Sequence, residues 1–100
     1  MEKKYFVLHL LPSRPDFAQT MSDEERGIMM KHVAYWSVLM RNGNVVVFGP
    51  VFDPKATYGL GVVCVSSLTE LEELIANDPA ATINRYEYFP MRAMVPDALL

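Results

Sequence analysis

The sequence predicts a small α+β domain with its elements in the order β-α-β-β-α-β, and three observations lead there. Four short runs rich in β-formers, "YFVLHLL" (5–11), "VVVFGPV" (45–51), "YGLGVVCV" (58–65) and "INRYEYFPMRAMV" (83–95), are bounded by turn residues. Two longer stretches, "TMSDEERGIMMKHVAYWSVLMRNGN" (20–44) and "SSLTELEELIAND" (66–78), carry apolar residues at helical spacing. The chain has 100 residues, which suffices for one small domain and not for two separate cores, so residues 1–100 are read as a single domain.

The first strand has two faces, Phe6, Leu8 and Leu10 on one and Tyr5, Val7, His9 and Leu11 on the other. Both are mostly apolar, so both should be covered. In the first helix, Ser22 and Glu25 have the spacing of a capping box, Asp23 and Glu24 suit the positive end of the helix dipole, and Asn42-Gly43 supplies a left-handed stop. Ile28, Met29, His32, Val33, Tyr35, Trp36, Leu39 and Met40 share one arc, with His32 and Trp36 near its middle.

In the second strand, Gly49 and Pro50 are expected to stop pairing, and "DPKAT" (53–57) is a turn. Gly59 and Gly61 stand on one face of the third strand and leave a groove where side chains would otherwise project. Ser67 with Glu70 predicts a second capping box, and the second helix ends at Asp78-Pro79. Pro90 marks the fourth strand as an edge or the site of a bulge.

Right-handed crossovers put both helices on one face of a four-stranded antiparallel sheet, the ferredoxin-like arrangement. The opposite face then carries Val7 and Leu11 beside an apolar second strand, which predicts a homodimer stacked sheet to sheet. The 51% apolar composition of so short a chain points the same way.

Composition excludes several function classes. The net charge is −3 and the nine basic residues are dispersed, so no basic footprint for nucleic acid exists. The third strand also lacks the paired stacking aromatics of an RNA-binding sheet. No run approaches the roughly 20 apolar residues that span a bilayer. The opening "MEKKYFVLHLLPSRP" alternates like a strand and lacks a small-residue cleavage site, so a cytoplasmic protein is expected. Cys64 is the single cysteine and reads as a buried strand residue. His9, His32 and Cys64 have no metal-ligand spacing, and no phosphate loop or nucleophile elbow is present, so neither metal nor cofactor is expected.

The residues left for chemistry each carry two readings. His32, centred on an apolar arc, is either a hydrogen-bonded core histidine or a functional one. Asp78 is either a turn acid before proline or the partner of a histidine, whose imidazole it would orient and make more basic. Trp36, Phe48 and Tyr58 are core aromatics or the walls of a site for a flat ligand. Ser66 contacts a ligand or merely precedes a helix cap, and Gly49 and Pro50 admit a ligand to the backbone or simply turn it. His9 belongs to the expected dimer face. Arg14 and Arg92 suit a substrate carboxylate or solvent.

The motifs "KHVAYW", "NGNVVVFGPV", "GLGVV", "NDPA" and "YEYFPMRAM", which together cover most of the chain, resemble the YCII-related (YciI-like) domains. The resemblance implies a ferredoxin-like protomer in a dimeric α+β barrel, with His32 and Asp78 as a catalytic histidine-aspartate pair. It implies acid-base chemistry on a small molecule, of lyase or dehydrochlorinase type, with a metabolite-binding or sensing module as the alternative. An oxygenase without cofactor is suggested by the barrel architecture through analogy alone.

Overall fold

The computed structural model describes residues 3–96, so the ends of the expected 1–100 domain lie outside the described residues. Strand β1 (Lys4–Leu11) leads through a short helix α1 (Phe17–Thr20) into the long helix α2 (Asp23–Arg41). Strands β2 (Val45–Val51) and β3 (Tyr58–Val65) follow, then helix α3 (Leu68–Ala76), a 3₁₀ turn (Pro79–Thr82) and strand β4 (Arg85–Met91). The sheet is antiparallel in the order β2-β3-β1-β4, a ferredoxin-like arrangement.

Helix α2 begins and ends as its sequence dictates. The Ser22 hydroxyl accepts from the Glu25 amide while the Glu25 carboxylate accepts from the Ser22 amide, closing the capping box. At the far end Gly43 takes φ 88°, and the Gly43 and Asn44 amides donate back to the Met40 and Leu39 carbonyls at 3.1 and 2.9 Å. That pair of bonds is a Schellman motif, which the left-handed glycine makes cheap.

The core lies between the helices and one sheet face. Phe6, Leu8, Val45, Val63 and Val65 pack with Trp36 of α2 and Leu71 of α3. The other face of the sheet is open in the protomer. There Val47, Val62, Val7 and Phe89 are register neighbours in one row across all four strands, and Val47 and Phe89 are each about half exposed. His9 stands on this face, its ring 5.2 Å from that of Tyr58 and 6.3 Å from that of Phe89.

Five details depart from the sequence reading. Gly49 and Pro50 do not stop pairing: they stay in register with Leu60 and Gly59, because β2 is an edge strand and proline's missing N–H costs nothing on an outer edge. The second capping box is half made. Ser67 accepts from the Glu70 amide, but the Glu70 carboxylate accepts from the Ser66 hydroxyl at 3.0 Å. Strand β4 is shorter at both ends than 83–95, and α1 had no periodic signal. On α2 the apolar arc is wider than the contact: Trp36 is buried, whereas Val33 is 51% exposed.

Candidate functional site

Asp78 follows α3 at the N-cap of the 3₁₀ turn, where the proline after it forces an extended backbone (φ −74°, ψ 124°). The residue is 1% exposed, a costly position for a carboxylate unless every lone pair is met. The bonds are there. Asp78 Oδ1 accepts from the Ala80 amide at 2.9 Å, and Oδ2 accepts from Trp36 Nε1 at 2.8 Å and from the Tyr86 hydroxyl. His32 Nδ1 lies 3.0 and 2.8 Å from the two oxygens. Asp78 is therefore both of the things its sequence context allowed, the cap of a turn and the partner of His32.

Burial pushes the Asp78 carboxyl up, but the bonds from His32, Tyr86, Trp36 and Ala80 outweigh it and hold the group below the ordinary carboxylate range. The Tyr86 phenol is driven far above its usual value, first by burial and then by its bond to that carboxylate. Both effects fix protonation states: Asp78 is an acceptor only and Tyr86 a donor. Nδ1 of His32 must then carry a proton, which leaves Nε2 as the nitrogen free to exchange one. No protein group among the described residues bonds to Nε2, and the His32 side chain keeps 13% of its exposure.

That exposure borders a cavity of about 250 Å³ between α1, the middle of α2 and the sheet. Its floor follows from Gly59 and Gly61, which share the helix-facing side of β3 with Val63 and Val65 and project nothing into the space. A methyl group added at Gly61 would find only Phe48 Cβ, at 3.7 Å, and the Val47 carbonyl. The walls include Leu8, Leu10, Phe17, Val33 and Phe48, and the polar groups include His32, Tyr86 and Asn84. An apolar cleft with a few convergent polar groups is the usual form of a small-molecule site. The α1 segment that roofs it is tied down by Arg14, whose guanidinium donates to both Glu25 oxygens at 3.0 and 2.9 Å and to the Thr20 carbonyl at 2.7 Å.

The structure brings His32, Asp78 and Trp36 together and sets Phe48 in the cavity wall. Trp36 lines the cavity as well, with its ring nitrogen committed to Asp78. Tyr58 borders the cavity, but its ring packs against His9, which stands on the opposite face of the sheet. Ser66 is not among the lining residues, and its hydroxyl donates to Glu70. Arg14 is occupied as a latch, which leaves it no free edge for a carboxylate. Sequence reasoning missed Tyr86 and Asn84. A period-2 count along "NRYEY" puts both on one strand face with Tyr88, the signal that could have found them.

Among the described residues no group of three His, Cys, Asp or Glu is placed to hold a metal ion, and no helix is long and apolar enough to cross a membrane.

Two solved structures are similar to this chain to different degrees. One is 5-chloro-2-hydroxyhydroquinone dehydrochlorinase (TftG) from Burkholderia phenoliruptrix in complex with 2,5-dihydroxybenzoquinone, 19% identical, with a TM-score of 0.60 over 93% of this chain and 97% of that one. The other is a mutant of SnoaB, a cofactor-independent oxygenase from Streptomyces nogalater, 13% identical, with a TM-score of 0.49 over 97% and 98%. At these identities the first likeness concerns the fold alone. A search among curated proteins gives no match. Residues 5–94 match the YCII-related domain, and on that match the chain belongs to the YCII-related domain family.

Proposed function

We propose that the cavity is an active site in which His32 moves a proton on a small aromatic or carbonyl-bearing molecule while Asp78 orients the ring. One observation carries the reading: a carboxylate that accepts from Trp36, Tyr86 and Ala80 has no way to meet His32 Nδ1 except as a further acceptor. The imidazole is thereby presented in one tautomer, with Nε2 as the base.

In the forward step Nε2 takes a proton from an acidic position of the substrate, and the electron pair left behind enters the conjugated system or expels a leaving group. The imidazolium that forms is stabilised by the Asp78 charge, and it returns the proton to a product atom or to solvent. Loss of chloride from a hydroxylated ring, the reaction named for the Burkholderia protein, is one member of this class. The apolar walls favour a flat, weakly charged substrate and exclude water from the transfer.

The reading includes a homodimer formed through the open sheet face, supported by the apolar row Val47, Val62, Val7 and Phe89 and by the half exposure of its two ends. A cytoplasmic location belongs to it as well, and the free thiol of Cys64 suits a reducing compartment.

The test is a screen of phenols and keto acids for consumption, followed by His32→Ala on any substrate found. Turnover should fall by about 10² to 10⁴-fold, the usual worth of a positioned general base, with the fold retained. Unchanged turnover in that variant overturns the proposal. Saturable binding without product from any member of the screen makes the cavity a binding site instead.

A further inference from the structure

Asn84 immediately precedes β4 on the same side as Tyr86 and lines the cavity. Its Nδ2 lies 3.6 Å from the Met29 sulfur, and Met29 lines the cavity too. A thioether sulfur accepts and cannot donate, so the amide must turn its NH₂ toward Met29. That orientation leaves Oδ1 buried with no partner, the one buried side-chain polar atom among the described residues in this condition. An orphaned amide oxygen is costly, and a thioether is a poor exchange for water at the NH₂. The carboxylate of Asp78 is met by four donors, so among the buried polar groups of the site the deficit at Asn84 stands out.

We propose that Asn84 is a specificity residue that anchors a hydroxyl group of the substrate, with the Met29 side chain as its movable cover. The amide offers an unmet acceptor and a weakly held donor side by side. A hydroxyl matches both, because it donates to Oδ1 and accepts from Nδ2 through the same oxygen. A ketone or ether answers only the donor, and a methyl group neither. Methionine has three rotatable side-chain bonds and adapts to irregular space, so it gives way at little cost. The apolar walls select the rest of the ligand, which makes the class a hydroxylated arene. The inference rests on the reading of the cavity as a small-molecule site but does not need His32 to be a base.

The test compares 2-naphthol with 2-methylnaphthalene, equal in shape and differing by hydroxyl against methyl. Dissociation constants are measured by NMR titration in the wild type, in Asn84→Ala and in His32→Gln. The ratio of the two constants should shift against 2-naphthol by about five- to tenfold in Asn84→Ala, the worth of one neutral hydrogen bond. It should hold in His32→Gln. If instead the ratio shifts in His32→Gln and holds in Asn84→Ala, the hydroxyl sits on His32 and the Asn84 proposal fails while the His32 reading survives. Failure of the wild type to bind 2-naphthol overturns it as well. The side-chain amide resonances of Asn84 in ¹⁵N-labelled wild type give a readout that needs no variant: they should move with 2-naphthol and stay with 2-methylnaphthalene, and the converse refutes the proposal.

Discussion

Replacing Tyr86 by Phe removes one hydroxyl from the ring of donors around Asp78 and leaves the aromatic packing against Trp36 (ring centroids 6.5 Å apart) in place. No cavity is made, so the cost is that of one hydrogen bond to a buried charge, about 2 kcal/mol. For a domain of about 100 residues that corresponds to a fall in Tm of roughly 10 °C. The loss should depend on pH in a definite sense. Asp78 is held below its unfolded-state value, so the stability it contributes is full above about pH 4 and is lost as pH falls through the folded-state value. Tyr86→Phe raises that folded value toward the unfolded one, so the gap between variant and wild type should be widest near neutrality and narrow in acid. Urea unfolding at pH 7 and pH 3, at one fixed protein concentration because a dimer adds a concentration term, measures both. Equal stabilities at pH 7, or a gap that does not change with pH, would refute the account of Asp78 as a carboxylate kept ionised by its donors.

Other expectations follow from the same geometry. Gly61→Val should fill the cavity floor and weaken 2-naphthol binding at least tenfold while urea unfolding stays near wild type, since a Cβ there meets only ordinary contacts. Gly43→Ala forces a β-carbon into a left-handed conformation and should cost about 1 kcal/mol in the same unfolding assay, with the site untouched. Phe89→Lys places a charge on the open sheet face and should convert the proposed dimer to a folded monomer in sedimentation analysis. Glu25 is held near pKa 2 chiefly by its bond from Arg14, so the latch over α1 should stay closed down to about pH 3 by amide exchange of residues 17–20.

Much of this was legible in the sequence. The order of elements followed from period and turn chemistry, and both termini of α2 were written in Ser22, Glu25 and Gly43, because caps are local devices that need only a few neighbouring residues. His32 and Asp78 could be named, but their meeting spans 46 positions and depends on how α2 crosses the sheet, which no local signal encodes. Tyr86 escaped for a related reason: an aromatic in a strand reads as packing, and only its reach to Asp78 reveals the hydroxyl's part. The short α1 helix has too few residues to show a period, and the pairing of Gly49 and Pro50 depends on β2 being an edge, a property of the whole sheet.

The two glycines of β3 have a consequence for how such a protein can change. The groups of the proposed proton transfer come from α2, the turn after α3 and β4, whereas the depth of the cavity is set from β3 by side chains that are missing. Chemistry and shape are thus carried on different segments of chain. A substitution at Gly61 can alter which molecule fits without disturbing any donor to Asp78, so under the proposed function substrate range can change while the histidine and its carboxylate stay as they are.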